Sequence, residues 1–292
     1  MANQLQEIKK EVFDVVESTV KNYVSKGRIA LPVNYSPENA MKAAWLMLQE
    51  CTDSNRRPVL ESCTRNSVIN ALQDMLYQGL NPSKKQCYFI AYGDKLVLQR
   101  SYFGSMHVAR MVDPSITDIC FDAVYEGDEF EYAKVRGRTV IVSHRQKLTN
   151  IDKDKIIAAY CSVFRGDTED TTIMTMEEIK AAWRKSKMSP IEANGNIKKN
   201  STHDQYTKDM AIKTVVNHAC KYIINSSDDS TLLMESAKNT YDDTQDKADI
   251  IEAEIAANAN AVEVDFTEPL TVDTSTGEVI DTSVSEPEDI DF

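Results

Sequence analysis

Residues 79 to 111 read GLNPSKKQCYFIAYGDKLVLQRSYFGSMHVARM, and residues 124 to 132 read VYEGDEFEY. Gly79, with Pro82 three residues later, ends a helix, because glycine accepts the left-handed C-terminal conformation and proline cannot extend the hydrogen-bond ladder. Gly93 and Asp94 between two apolar-rich runs predict a hairpin. Its second strand continues through Arg100 and gives way to a short helix near Tyr102. Arg100, Tyr102, Phe103, His107 and Arg110 therefore gather where strand becomes helix, a junction suited to phosphate contact and base stacking.

Downstream, apolar residues alternate at Ile116, Ile119, Phe121, Ala123 and Tyr125, then at Phe130 and Tyr132 after an intervening Glu-Gly-Asp turn. Further strands are predicted at 139 to 143, 156 to 164 and 171 to 175, with turns at Gly137 and Gly166. The connections are too short for crossover helices, so an antiparallel meander with packed helices, an α+β fold, is expected rather than a doubly wound sheet.

Upstream, residues 1 to 80 read as helical. Leu5, Ile8, Val12, Val16, Val20 and Tyr23 recur at helical spacing before Gly27. Ser36 and Pro37 open a second helix carrying Met41, Ala44, Trp45 and Leu48, and a third runs from about Thr64 with Val68, Leu72, Met75 and Leu76. These faces either cover a sheet or meet a neighbouring subunit. After the strands, Thr175 caps a helix bearing Ile179, Trp183, Arg184, Lys185 and Lys187, and residues 189 to 201, with Lys198 and Lys199, read as a mobile basic loop. A last helix is expected over 203 to 224 with Tyr206, Met210, Thr214 or Val215, and Tyr222 on one side. Three regions result: 1–80 helical, 81–226 a binding core, and 227–292 a C-terminal helix followed by an acidic tail.

The net charge of −13 is unevenly spread. From Tyr241 onward 16 acidic residues face one lysine, a net of −15, which leaves the first 240 residues at +2. That tail has too few large apolar residues to fold alone and is expected to be disordered. Within the body, Lys180 to Lys221 holds nine Lys or Arg against three acids, and Ala133 to Lys147 five against none. Basic patches on a near-neutral body suit a polyanionic partner.

No apolar run approaches a membrane span, and the start MANQLQEIKK lacks an apolar signal core, so the cytoplasm is the expected compartment. The six cysteines fall singly, never at CxxC spacing, which predicts reduced thiols rather than a zinc site or a disulfide framework. There is no phosphate loop, no dinucleotide fingerprint, no HExxH and no GxSxG, and no cofactor is expected. Glu126, Asp128, Glu129 and Glu131 form the one dense carboxylate group of the body; Glu129 and Glu131 share a strand face and offer a metal-dependent nuclease as an alternative, against a solvated hairpin tip. A non-catalytic acidic protein that mimics DNA is a further alternative.

The succession QGLNP, YFIAYG, LQRSYFG, ARM, EGDEF, TMEEIKAAWRKSK and DMAIKTVV, over roughly residues 60 to 225, resembles the RecT family of phage single-strand annealing proteins. The resemblance implies a β-β-β-α core, single-stranded DNA binding, assembly into rings or filaments, and pairing of complementary strands without ATP or catalysis in the cytoplasm of a bacterial host. Single-stranded DNA, the annealed duplex, further copies of the chain, a phage exonuclease and a host single-stranded DNA binding protein are the implied partners. Gln78, Gly79, Leu80 and Pro82 match the family's helix-ending element, Tyr102 and Gly104 its GYKG-like element, and Met210, Ala211, Lys213 and Thr214 its MAKKT-like element. Phe103 stands where that pattern has lysine, Ser101 replaces a glycine, Met111 the second of paired arginines and Ile212 a lysine.

A protein that anneals any sequence must hold phosphates and leave base edges free. The candidate phosphate contacts are Arg100, Arg110, Arg184, Lys187, Lys198, Lys199, Lys208 and Lys213, with Tyr102, Phe103 and Trp183 as platforms or, equally, core residues. The C-terminal SEPEDIDF resembles the acidic, phenylalanine-ended tip of bacterial single-stranded DNA binding proteins, so Asp289, Ile290, Asp291 and Phe292 are a candidate docking tip, against a merely solubilising tail.

Overall fold

The computed structural model describes residues 2–186, 189–227, 233, 236–237, 240–242, 271–272 and 279–280. Helices α1 (Ala2–Ser25), α2 (Pro37–Glu50), α3 (Val59–Ser62) and α4 (Arg65–Tyr77) occupy the first 80 residues, as the periodicity predicts apart from the single turn of α3. In α1 the buried face is Val12, Val16 and Val20, each four residues from the last. The Ser36 hydroxyl caps α2 by accepting the Asn39 N–H, and Thr64 caps α4 by accepting that of Ser67.

The hairpin β1 (Cys87–Tyr92) and β2 (Lys95–Arg100) pairs antiparallel from Cys87 opposite Arg100 to Tyr92 opposite Lys95. It leads directly into α5 (Tyr102–Val112), with Ser101 as N-cap. Gly104, in the first turn of α5, lies so close to the β1 approach that a Cβ there would stand 2.1 Å from the Gln86 carbonyl oxygen.

Then follow β3 (Asp118–Tyr125), β4 (Glu129–Val135), β5 (Arg138–Arg145), β6 (Ile156–Arg165), β7 (Thr168–Thr175), α6 (Met176–Arg184), α7 (Thr202–Gln205) and α8 (Thr207–Asn225). The class is α+β with antiparallel strands, as expected, but their order is not a simple meander. β3 pairs with β6, and β6 with β7, while β4 and β5 form a separate hairpin inserted between β3 and β6. Burial explains the excursion: no residue of β4 or β5 is fully buried, so neither strand has the apolar content of an interior one. The hairpin leans on β7, where the Ile141 N–H donates to Glu169 Oε1 at 3.1 Å. Its far turn has both Arg136 (φ 51°) and Gly137 (φ 84°) in left-handed conformation, the geometry that matches strand twist.

Two apolar cores result. One joins α1, α2 and α4 to β1 and β2; the other joins the β3-β6-β7 sheet to α6 and α8. Two helices bridge them: α5 places Val108 in the first core and Ala109 in the second, and α8 places Ile224 in the first and Ala211, Val215 and Cys220 in the second. The helical stretch and the strand region thus share one compact unit, Met1–Lys247, while Ala248–Phe292 forms another.

The last helix departs from its expected form in two ways. Tyr206 (φ −125°, ψ 46°) breaks it into α7 and α8. The buried face is Ala211, Ile212, Val215, Val216, Ala219 and Cys220, whereas Tyr206 and Tyr222, expected on one side with Thr214 or Val215, are 55% and 74% exposed. That face packs against α5, and aliphatic and small side chains let the two helices meet where tyrosine rings would hold them apart.

Beyond α8, a two-residue strand β8 (Tyr241–Asp242) pairs parallel with the end of β2, Gln99 opposite Tyr241 and Arg100 opposite Asp242. In the second unit, β9 (Thr271–Val272) and β10 (Val279–Ile280) pair antiparallel. The rest of the acidic tail, expected to be disordered, lies outside the described residues.

Candidate nucleic-acid interface

Two candidate residues, Lys208 and Lys213, lie on α8, a helix of 19 residues and thus about 28 Å long. Near its start Lys208 makes an ion pair with Asp122 of β3, Nζ to Oδ1 2.8 Å. At its middle Lys213 is half-buried and close enough to His203 to help depress that imidazole's pKa, burial being the larger cause. Toward its end, Cys220 lies within the field of Arg100 and Arg110; burial nonetheless pushes its thiol up to about 12.

Around the His203 end, three expected cations are exposed: Arg184, Lys198 and Lys199. Arg184 lies against the segment after α6, its Nη2 3.6 Å from where a Gly195 Cβ would stand. That segment, expected as a mobile loop, is closed by an antiparallel bridge between Ile191 and Ile197 and by the Lys198 N–H donating to the Pro190 carbonyl at 2.8 Å. Ile191 is buried in the second core, which anchors the basic turn. Lys187 lies outside the described residues, as do Asp289, Ile290, Asp291 and Phe292.

Trp183, placed as a base platform or a core residue, is core: it is 4% exposed, stacks edge-on to His203 at 4.7 Å, and donates its Nε1–H to Thr214 Oγ1 at 2.8 Å. The capping box of Thr175 and Glu178 fixes the start of the short helix that carries it.

At the strand-to-helix junction the expected group divides. Phe103 is 43% exposed, with the Tyr102 ring 4.1 Å away and tilted by 31°, and Tyr102 in turn meets Phe121 edge-on. Arg110 is exposed and 3.6 Å from Asp118, a loose surface pair. His107 is half-buried, its pKa lowered by burial, Lys84 and Arg110. Arg100 faces inward: it is 6% exposed, and Nη1 donates to Gln78 Oε1 and to the Ala237 carbonyl, both at 2.8 Å. Gln78, a matching residue of the helix-ending element, is therefore a buried bridge, its Nε2 donating to Thr240 Oγ1 at 2.6 Å and Ser236 Oγ at 3.0 Å.

Asp128, from the carboxylate cluster, is turned inward as the anchor of the β4–β5 hairpin. It accepts from Tyr125 N–H and Asn150 Nδ2 at 2.9 Å and from Gln146 Nε2 at 3.0 Å, and lies 3.3 Å from His144 Nε2. Burial opposes its charge, but these bonds from Asn150, Gln146, Tyr125 and His144 outweigh it and hold the carboxyl at about 2. Glu129 and Glu131 are exposed, and among the described residues no three His, Cys, Asp or Glu side chains are grouped to hold a metal.

Lys134, Arg136 and Arg138, exposed at the far end of the hairpin, were not singled out from the sequence. The run of basic residues from 133 to 147 was its signal, but only the inserted hairpin shows that three of them reach solvent together. The described cysteines are all free thiols, with Cys63, Cys87, Cys161 and Cys220 buried. No described helix is long and apolar enough to cross a membrane.

No curated protein and no solved structure matches the chain. The RecT family model matches residues 38–255, from the second helix to beyond the last core helix, well over half of the sequence. The chain therefore belongs to the RecT family, proteins that bind single-stranded DNA and act in recombination by single-strand annealing.

Proposed function

We propose that this chain anneals complementary DNA strands without ATP, as a homo-oligomer, by gripping phosphates and leaving base edges exposed. The observation that carries the reading is the group of cations at the start of α8 and its flank: exposed Arg184 at the end of α6, exposed Lys198 and Lys199 on an anchored turn, and half-buried Lys213 on α8. Cations of this kind supply the sequence-independent part of nucleic-acid affinity. Exposed Phe103, backed by Tyr102, provides an aromatic face for a base at the strand-to-helix junction. Phe103, where the family pattern carries lysine, exchanges a point charge for stacking.

Self-association would use apolar surface left uncovered, such as the groove between α1 and α2, about 540 Å³ and lined by Phe13, Val20, Leu31 and Met41. A phage exonuclease and a host single-stranded DNA binding protein are the partners this role calls for, with Asp289 to Phe292 as the docking tip.

Mixing labelled complementary oligonucleotides with the protein, without ATP and with or without magnesium, tests the reading. Intact strands converted to duplex are expected. Magnesium-dependent shortening of the strands would favour the nuclease alternative, and unchanged single strands the acidic DNA mimic.

A further inference from the structure

The turn that feeds β1 carries two cations that were not singled out from the sequence. Asn81 opens it, its side chain accepting the Ser83 N–H at 2.9 Å. Pro82 to Lys84 make a single 3₁₀ turn, and Lys85 closes it, its N–H donating to the Pro82 carbonyl at 2.8 Å. Lys85 is held in left-handed conformation, φ 55°, which glycine adopts without steric cost and lysine does not. Lys84 and Lys85 are both exposed, and among the described residues neither makes an ion pair. Neither the strained backbone nor two adjacent like charges helps this turn to form, and strain of this kind gathers where a side chain meets a ligand.

The turn is fastened to the start of α5. The Ser101 N–H donates to the Gln86 carbonyl at 3.0 Å, and the Ser101 hydroxyl donates to the Lys85 carbonyl at 2.6 Å. Gly104, lacking a Cβ, lets the Gln86 carbonyl come this close to the first turn of the helix. Phe103 and His107, four residues apart, share one side of α5, and Arg110 follows one turn later. Lys84 and Arg110 both lie near enough to His107 to help lower its pKa, burial being the larger cause. Cations therefore flank the side of α5 on which Phe103 is exposed.

Phe103 stands where the family pattern has lysine, so its ring can stack on a base but cannot hold a phosphate. We propose that Lys84 and Lys85 hold the phosphate next to the base that lies on Phe103, so that the charge missing from α5 is supplied by the turn packed against it. The assignment rests on the reading of this chain as a single-stranded DNA binder. A nucleotide is then engaged by its ring face and its phosphate, neither of which carries sequence information, as annealing of any strand requires.

The test uses the full chain, labelled oligo(dT) and fluorescence anisotropy over a salt series. The double variant Lys84→Gln, Lys85→Gly should bind several-fold more weakly and flatten the salt slope by about 1.4, or about 0.7 for each phosphate contact on a single strand. Glycine suits the φ of 55° at position 85, so thermal stability should hold or rise, which separates lost affinity from a lost fold. Adding Phe103→Lys to the pair should return about 0.7 of the slope. Lys95→Gln, at the opposite end of the same hairpin and equally exposed, should leave the slope unchanged. An unchanged slope in the double variant, no return with Phe103→Lys, or an equal loss per charge from Lys95→Gln would overturn the assignment and leave the DNA-binding reading standing. Absence of binding by the unmodified chain would overturn both.

Discussion

The indole N–H of Trp183 donates to the Thr214 hydroxyl at 2.8 Å, and the same hydroxyl donates to the Met210 carbonyl at 2.8 Å, so one threonine ties α6 to α8 with both its capacities used. Thr214→Val keeps the shape and strands the buried indole donor. It should cost about 1–3 kcal/mol of stability, the penalty of an unsatisfied buried group. Thermal denaturation reads the loss, and oligo(dT) affinity of the folded variant should be unchanged; reduced affinity at full stability would return Trp183 to the list of strand contacts.

Lys213→Ala should weaken binding to oligo(dT) uniformly across sequences and flatten the salt slope by about 0.7, since each phosphate contact on a single strand releases that share of counterion. Lys208→Ala should flatten the slope by less than one full contact, because Asp122, 2.8 Å away, already offsets part of the Lys208 charge. Fluorescence anisotropy over a salt series measures both. An unchanged slope for Lys213→Ala would remove it from the interface.

Phe103→Ala should leave stability nearly intact, given the ring's 43% exposure, and should weaken oligonucleotide binding by about 1–3 kcal/mol, the range for one lost base stack. Phe103→Lys, which restores the family residue, should recover affinity with a steeper salt dependence. Equal affinity of wild type and Phe103→Ala would assign the ring to Tyr102 packing alone.

Gly104→Ala sets two effects against each other. Alanine favours a helix over glycine by roughly 1 kcal/mol. Its Cβ, however, would meet the Gln86 carbonyl at 2.1 Å, a backbone atom that cannot rotate away. Overpacking typically costs about 1–3 kcal/mol, so net destabilisation is expected in urea unfolding. A more stable variant would show that the β1 approach can yield.

Asp128 gives the hairpin a pH dependence of definite sign. Its carboxyl is depressed from 3.8 to about 2 in the folded chain, so the stabilisation is present above the unfolded value and is lost as pH falls through the folded one. Between about pH 4 and pH 2 the wild type should lose stability faster than Asp128→Asn, which lacks the charge throughout. Parallel acid titrations followed by circular dichroism compare them; identical curves would remove Asp128 as the anchor of the hairpin.

Much of this molecule is legible in the sequence because it is set by local chemistry. The spacing of Val12, Val16 and Val20, the caps at Ser36, Thr64 and Thr175, and the Gly93 and Gly137 turns each act within a few residues, and each element appears where they place it. The order of motifs likewise sufficed to identify the family. Tertiary structure decided the rest. Only pairing between distant strands shows that β3 joins β6 and expels β4 and β5 as a hairpin, because which strand fills an interior position depends on burial on both faces. Helical spacing sets Tyr206 and Tyr222 on one side with Thr214 or Val215, but the packing leaves both tyrosines exposed, since spacing defines stripes and the neighbouring elements choose among them. Arg100 shows the limit most plainly: its sequence neighbours mark a binding junction, whereas one carbonyl its guanidinium donates to belongs to Ala237, 137 residues away, where no local pattern reaches.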